Sequence, residues 1–255
     1  MAASALLGVA VGTSGCGYSY VRDYCPGCVV FERGVEAPAV PAGTRTLFVL
    51  VPGMLGYGWE WDAPRSLLAQ VPSSVTQVYG WPMWSSLGRV AGDFAEHLNR
   101  ILARLPGSVR QVIIIGHSAG GLVTAFASSQ LEVPAGCRVL IANVGAPYAG
   151  MHTTPDDNPP NQIWTPFPFT MGGRLTRYPL PARGVTVESW VTGWPADPVM
   201  QPRFGHRPDD PRVGPPGERH AVPPGIDHNR VLEVVVRTLV GRTDGGKTGK
   251  VLPPR

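Results

Sequence analysis

Residues 112–121 read VIIIGHSAGG, and this stretch decides the fold of the chain. Its four β-branched apolar residues predict a buried strand, and its glycines allow a tight turn directly afterwards. Apolar residues then recur at helical spacing over positions 122–127. The pattern therefore places Ser118 on a sharp turn between a strand and a helix. The alternative is a glycine-rich turn whose serine only caps the helix, since 32 of the 255 residues are glycine.

Strand-like and helix-like segments alternate on both sides of this turn. Apolar runs predict strands at 46–51, 75–79, 112–115, 138–144 and 185–192, and helical spacing predicts helices at 63–71, 87–105 and 229–240. This order predicts an α/β fold with a mostly parallel central sheet and helices on both faces.

Three kinds of segment flank or interrupt the predicted domain, which spans residues 44–241. Residues 1–43 are an irregular arm, and residues 242–255 are a flexible tail. Residues 149–184 are rich in proline and aromatic side chains and predict a cap or lid, while 198–225 form a long loop.

The composition excludes several classes of protein. The net charge of +4 comes from scattered basic residues without interleaved aromatics, so no nucleic-acid partner is expected. Cys25 and Cys28 form a C-x-x-C without a second pair, which favours a local disulfide or two thiols over a zinc or redox site. No metal or other cofactor is expected.

The first residues resemble a bacterial lipoprotein signal. Residues 2–15 are small and apolar, and Cys16 follows them. The stretch departs from that pattern because no basic residue precedes it and Thr13 stands where a larger aliphatic residue is usual. We expect an exported or membrane-anchored protein rather than a cytoplasmic one, with lipidation or the substrate itself bringing it to a membrane surface.

A nucleophilic serine needs a general base and a group that orients this base. His228 lies directly before the last predicted helix, and we predict that it is the base. Asp197 follows the strand predicted at 185–192, at the sheet edge where α/β proteins carry their sites, and we predict that it orients His228.

Other acids compete with Asp197 for this role. Asp209 and Asp210 lie in the long loop, and Asp227 is the chain neighbour of His228. Asp227 lies too close in sequence to serve the histidine beside it.

The developing oxyanion would need two main-chain N–H donors. Ala119, directly after the nucleophile, is one candidate. Met54 is the other, because Gly53 in the segment VPGMLG at 51–56 lets the loop turn its next amide toward the site. The alternative for this segment is an ordinary proline–glycine turn.

Together, VPGMLG at 51–56 and IGHSAGG at 115–121 resemble the α/β-hydrolase superfamily, and within it the bacterial serine lipases and esterases. The segment NVGAP at 143–147 is similar to a strand-end loop of that family. The resemblance implies the α/β-hydrolase fold and ester cleavage by Ser118, Asp197 and His228 through an acyl-enzyme. Pro52 stands where the family usually has histidine, and no calcium-binding aspartate pair is evident.

An apolar pocket is the expected binding site for a small-molecule ester or a lipid. We predict that it is lined by Leu55, His117, Trp164, Phe167 and Phe169. The aromatics would otherwise only pack the insertion onto the domain. Acyl transfer, thioester or amide hydrolysis, and a non-catalytic binding scaffold are the alternative functions. The sequence leaves acyl-chain length and oligomeric state open.

Overall fold

The computed structural model describes residues 29–32, 35, 38–53, 59–81, 87–148, 178–192 and 214–243. Their centre is a sheet of seven strands in the order β1-β3-β2-β4-β5-β6-β7, and every neighbouring pair is parallel. The strands are β1 (Val29–Phe31), β2 (Thr46–Val51), β3 (Ser74–Tyr79), β4 (Gln111–His117), β5 (Arg138–Val144), β6 (Val185–Val191) and β7 (Glu218–Ala221).

Helices cover both faces of this sheet. They are α1 (Asp62–Leu68), α2 (Leu87–Leu102), α3 (Ala119–Ala127) and α4 (Arg230–Thr243), with short 3₁₀ turns at Trp59–Trp61 and Ser128–Gln130. Helices α2 and α3 share one apolar cluster with the sheet, and α1 and α4 share the other. No helix in the described ranges is long and apolar enough to cross a membrane.

The central strands β2 and β4 are apolar through their middle residues because both of their faces are buried. In β2, Leu47 and Val49 face α2 and α3, while Phe48 and Leu50 face α1 and α4. Strand β4 alternates in the same way. The unbroken apolar runs in the sequence follow from this two-sided burial.

The strand order creates a switch point between β2 and β4. From β2 the chain crosses to β3 on one side, and it then returns to place β4 on the other side. Loops leaving the carboxyl ends of β2 and β4 therefore diverge, which opens a crevice where α/β proteins bind ligands.

The predicted α/β class is confirmed, and two strands extend the sheet beyond the five predicted for the domain. Strand β1 lies in the arm otherwise predicted to be irregular, at the strand-like run VVF that follows Cys28, and its Val30 pairs with Val78. Strand β7 lies inside the predicted 198–225 loop. Its residues are polar and only partly covered, so no apolar run revealed it. Helix α2 also ends at Leu102, three residues earlier than its apolar spacing indicated.

Several predicted features lie outside the described residues. These are the lipoprotein-like start with Cys16, the pair Cys25 and Cys28, most of the lid segment, and the tail beyond residue 243. They stay predictions.

Candidate active site

Ser118 occupies a strained turn between β4 and α3. Its φ is 53° and its ψ is −122°. Its N–H donates to the carbonyl oxygen of Val144 at 2.9 Å, and its own carbonyl accepts the N–H of Gly121 at 3.0 Å. A non-glycine residue keeps a positive φ only where its surroundings enforce it, and such residues concentrate at functional sites. The turn holds the serine at the carboxyl end of the central strand, as the motif predicted.

The first turn of α3 lies directly on the end of β2. A Cβ at Gly120 would collide with the carbonyl oxygen of Val51 and would lie 2.6 Å from that of Pro52. Only glycine allows this approach. The second glycine of the G-x-S-x-G motif therefore has a packing reason, which is to seat the serine beside the switch point.

The loop after β2 reaches the serine itself. A Cβ at Gly53 would lie 2.9 Å from Ser118 Cβ and 3.5 Å from Ser118 Oγ. The indole N–H of Trp81 donates to the carbonyl oxygen of Pro52 at 2.9 Å and fixes the start of this loop. Sequence reasoning missed this tether because the two residues are 29 positions apart.

The structure describes only one of the two predicted oxyanion donors, Ala119. Ala119 is buried and is the first residue of α3, where main-chain N–H groups have no acceptor within the helix. Met54 lies outside the described residues, although its neighbour Gly53 packs against Ser118. Both assignments stay predictions.

His228 lies just before α4 and packs against the end of β5. A Cβ at Gly145 would be 3.2 Å from both Cε1 and Nδ1 of the His228 ring. Gly145 follows Val144, the residue whose carbonyl accepts the Ser118 N–H. The predicted nucleophile and the predicted base therefore meet at one pair of residues at the end of β5.

His117, the chain neighbour of Ser118, contacts His228 directly. Its Nε2 lies 2.9 Å from the carbonyl oxygen of His228, and the two imidazole rings are 4.9 Å apart between centroids. The edge of Trp61 packs on His117 at 6.1 Å, and the His117 residue is only 3% exposed. The contacts described for His117 are thus with Trp61 and His228, while the predicted role in a substrate pocket stays a prediction.

Asp227 caps the last helix. Its Oδ1 accepts the main-chain N–H of Asn229 at 2.9 Å and of Arg230 at 2.8 Å, and its Oδ2 lies 3.5 Å from Arg230 Nε. This arrangement is a helix N-cap. It favours the interpretation that Asp227 serves α4, and not the neighbouring His228.

The remaining predicted site residues lie outside the described residues. They are Leu55, Trp164, Phe167, Phe169 and Asp197, together with the alternative acids Asp209 and Asp210. Strand β6, which leads toward Asp197, does run parallel to β5 and ends at the same edge of the sheet.

A buried polar network lies behind the serine turn. Thr124 Oγ1 on α3 contacts Asn143 Oδ1 on β5 at 2.5 Å. Tyr148 OH lies 2.9 Å from Ser189 Oγ, and burial raises the pKa of Tyr148 to about 12. Sequence reasoning missed these residues. Single polar residues within otherwise apolar runs, such as Thr124 and Asn143, were the available signal.

One group in the described part of the chain has the spacing of a metal site. Ligand atoms of Glu188, Glu218 and His220 lie within 4.8 Å of one another. Arg242 Nη1 contacts both carboxylate oxygens of Glu188, at 2.8 and 2.9 Å, and already neutralises that charge. His220 lies 3.3 Å from Glu188 and stacks on Trp190. The cluster is therefore an ion-pair network that links β6 to β7 at the edge of the sheet.

The parallel sheet, the serine turn at its switch point and the histidine before the last helix define an α/β-hydrolase fold. No protein-family model and no curated protein sequence matches the chain.

Solved structures in which the chain follows a similar course include an esterase, a thioesterase and one gene product. Esterase B from Lactobacillus rhamnosis is 13% identical, with 82% of this chain and 80% of that chain covered and a TM-score of 0.48. YbtT, a type II thioesterase of the yersiniabactin pathway, is 14% identical, with 81% and 95% covered and a TM-score of 0.44. The lin2722 product of Listeria innocua is 9% identical, with 78% and 92% covered and a TM-score of 0.41.

Proposed function

We propose that this protein is a serine hydrolase that cleaves carboxylic esters through an acyl-enzyme. One observation carries the proposal. Ser118 sits in a turn with a positive φ at the switch point, and its N–H donates to Val144. The next residue, Gly145, lies so near His228 that a Cβ there would be 3.2 Å from the imidazole ring. A serine and a histidine at the same strand end are the two groups that nucleophilic catalysis by a hydroxyl group requires at minimum.

The proposed reaction has two halves. Ser118 Oγ attacks the ester carbonyl carbon while His228 accepts the hydroxyl proton. The tetrahedral intermediate then collapses, and His228 gives the proton to the departing alcohol. A water molecule next attacks the acyl-enzyme while His228 takes its proton. The second tetrahedral intermediate then collapses, the bond between the acyl carbon and Ser118 Oγ breaks, and His228 returns the proton to Oγ as the carboxylic acid leaves.

The supporting groups have separate roles in this proposal. Asp197 holds the His228 imidazole in the required tautomer and stabilises its charged form. The main-chain N–H groups of Met54 and Ala119 bind the oxyanion. The position of Gly53 against Ser118 supports the first of these donors, because it brings the loop to the nucleophile.

The surroundings of Ser118 suit this chemistry. The serine is only 8% exposed, and Gly53, Gly121 and Val144 lie beside it. Fixed N–H dipoles in such a water-poor site stabilise developing charge far better than they would in bulk water. The substrate class that we propose is a small-molecule ester or a lipid, with the aromatic segment 149–184 supplying apolar contacts.

Labelling with a fluorophosphonate tests the proposal. We expect the folded protein to take up one equivalent of the probe at Ser118, located by peptide mass spectrometry, and the heat-unfolded protein to take up none. A panel of p-nitrophenyl esters of increasing acyl length then separates esterase from lipase behaviour. Absence of labelling in the folded protein contradicts the proposal and favours a non-catalytic scaffold.

Product analysis separates the related chemistries. With an added alcohol acceptor, free acid as the main product supports hydrolysis, whereas a new ester as the main product identifies an acyltransferase. Faster turnover of matched thioesters or amides would replace the ester assignment while leaving the roles of Ser118 and His228 intact.

A further inference from the structure

We infer that His117 is a positioning residue, which clamps the base-bearing loop to the strand that carries the nucleophile. The inference rests on the proposed function, because it assigns the base to His228. Its carrying observation is the contact of 2.9 Å between His117 Nε2 and the main-chain oxygen of His228, two residues that are 111 positions apart in the chain.

The chemistry of the contact fixes its direction. A carbonyl oxygen can only accept, so His117 Nε2 must carry a hydrogen and donate it. The separation of 2.9 Å is the usual length of an N–H···O hydrogen bond. His117 is therefore held with a proton on Nε2, and this ring nitrogen is committed to the base-bearing loop.

The two partners are anchored very differently. His117 ends β4, which has paired strands on both sides, and its ring is packed by Trp61. His228 lies in the short turn before α4, where the carboxylate of Asp227 accepts the N–H groups of Asn229 and Arg230 and its carbonyl accepts that of Val231. The hydrogen bond thus connects a rigid element to a short loop, and the rigid side is covalently joined to Ser118.

The ring contacts also restrict the position of His228. The His117 and His228 rings are 4.9 Å apart and tilted by 39°, and a Cβ at Gly145 would lie only 3.2 Å from Cε1 and Nδ1 of the His228 ring. Strand ends β4 and β5 together limit where the base can lie. His117 in this way sets the separation between nucleophile and base, without itself exchanging a proton with the substrate.

Two substitutions separate this role from simple core packing. His117→Leu keeps a buried apolar side chain and removes the donor, whereas His117→Gln can place an amide N–H near the position of Nε2. We expect His117→Leu to lower kcat by about 10- to 100-fold with KM within about threefold, since small misplacements of catalytic groups have such effects. We expect His117→Gln to recover kcat to within about threefold of the parent.

His97→Gln is the matched control. His97 is also buried, with 3% exposure, but it lies on α2 and contacts the carbonyl oxygen of Asp93. We expect it to keep the parent kcat and the parent rate of fluorophosphonate labelling. A folded His117→Leu protein with unchanged kcat would overturn the inference, as would a folded His117→Gln protein as slow as His117→Leu.

A second measurement keeps the clamp and the proposed function separable. In ¹⁵N-histidine NMR of the full chain, we expect the His117 resonances to report a proton on Nε2, with or without enzymatic activity. An unprotonated Nε2 overturns the clamp even in an active enzyme. A parent protein that neither turns over esters nor takes the probe overturns the hydrolase, and NMR still decides the clamp. The same spectrum decides it if His117→Leu fails to fold.

Discussion

Ser118 and Ser73 share a positive backbone φ and differ in almost everything else. Their φ values are 53° and 55°, and they are the only non-glycine residues with a positive φ in the described ranges. Ser73 is exposed at the amino end of β3, where its carbonyl accepts the N–H of Arg45 at 2.7 Å. Ser118 is buried at the carboxyl end of β4. A left-handed serine therefore does not by itself mark a nucleophile.

The contacts around each serine explain the difference. At Ser73 the turn joins α1 to β3 and helps to start β2, which is a purely structural task. At Ser118 the turn lies where the switch-point loop approaches at Gly53 and where the end of β5, close to the His228 ring, accepts the Ser118 N–H. A positive φ at a non-glycine residue costs on the order of 1–3 kcal/mol, and only at Ser118 do the neighbours support the proposed catalytic role.

Replacing each serine by alanine tests this comparison most directly. We expect Ser118→Ala to lower ester turnover by about 10⁴- to 10⁶-fold, because loss of the nucleophile removes covalent catalysis. Ser73→Ala makes the same chemical change at nearly the same φ, and we expect full activity. Turnover of a p-nitrophenyl ester measures both. Equal activity of the two variants would show that Ser118 is as passive as Ser73.

Substitutions of two aspartates test whether His228 is oriented by a distant acid or by its chain neighbour. We expect Asp197→Asn to lower kcat by about 10⁴-fold, since a neutral amide favours the wrong imidazole tautomer. Asp227→Asn should keep kcat within a few-fold and the helix cap intact, because asparagine caps helices about as well as aspartate. The opposite ranking in ester turnover would assign the acid to Asp227.

Alanine substitution of two glycines tests the close packing at the carboxyl end of the sheet. Gly120→Ala forces a methyl group against the carbonyls of Val51 and Pro52, and we expect a loss of about 3 kcal/mol or more in the free energy of unfolding. Gly92→Ala in α2 meets no atom within 4 Å and should stabilise the protein by about 0.5–1 kcal/mol. Urea denaturation measures both changes. A well-tolerated Gly120→Ala would mean that α3 can move away from β2.

Elements that are apolar on both faces were predictable from sequence. The bounds of β2 and β5 agree with the apolar runs at 46–51 and 138–144, because burial on both faces keeps these strands largely apolar, with Asn143 as the buried polar exception. Strand β7 could not be found in this way. It lies at the sheet edge, and its residues Glu218, Arg219 and His220 are polar or charged.

The residues of the candidate site also differ in how far their positions could be predicted. Ser118 was predictable because its turn is encoded by adjacent residues, and His228 because it precedes a clear amphipathic helix. The His117–His228 bond and the Trp81–Pro52 tether join residues far apart in the chain, so only the fold reveals them. Asp197 stays a prediction, since its position rests on the end of β6 alone.

Alkaline pH should destabilise the carboxyl end of the sheet. Burial raises the pKa of Tyr148 to about 12, above the value of about 10 for an exposed phenol. The folded state therefore favours the protonated phenol. This contribution, up to about 3 kcal/mol, is complete below pH 10 and is lost as the pH rises toward 12.

Urea denaturation between pH 9 and pH 12 measures this loss. The unfolding free energy of Tyr148→Phe should fall less steeply over the window than that of the parent. It should still fall, because burial also raises the pKa of Tyr178. Equal slopes for parent and variant would show that water reaches Tyr148 in the folded protein.

Glycine substitution at the two serines gives the smallest effect and measures the stored strain. Glycine adopts a positive φ without the clash of a Cβ, but it has more conformational freedom to lose on folding. We expect Ser73→Gly to raise the unfolding free energy by about 0.5 kcal/mol and Ser118→Gly to raise it by about 1 kcal/mol. The larger gain should occur at Ser118, because its ψ of −122° places it outside the small left-handed α region that non-glycine residues tolerate. Thermal and urea unfolding of both variants measure the difference. A Ser118→Gly protein less stable than the parent would mean that contacts of the serine side chain outweigh its strain, and the turn would then be held by packing just as the turn at Ser73 is held by its hydrogen bonds.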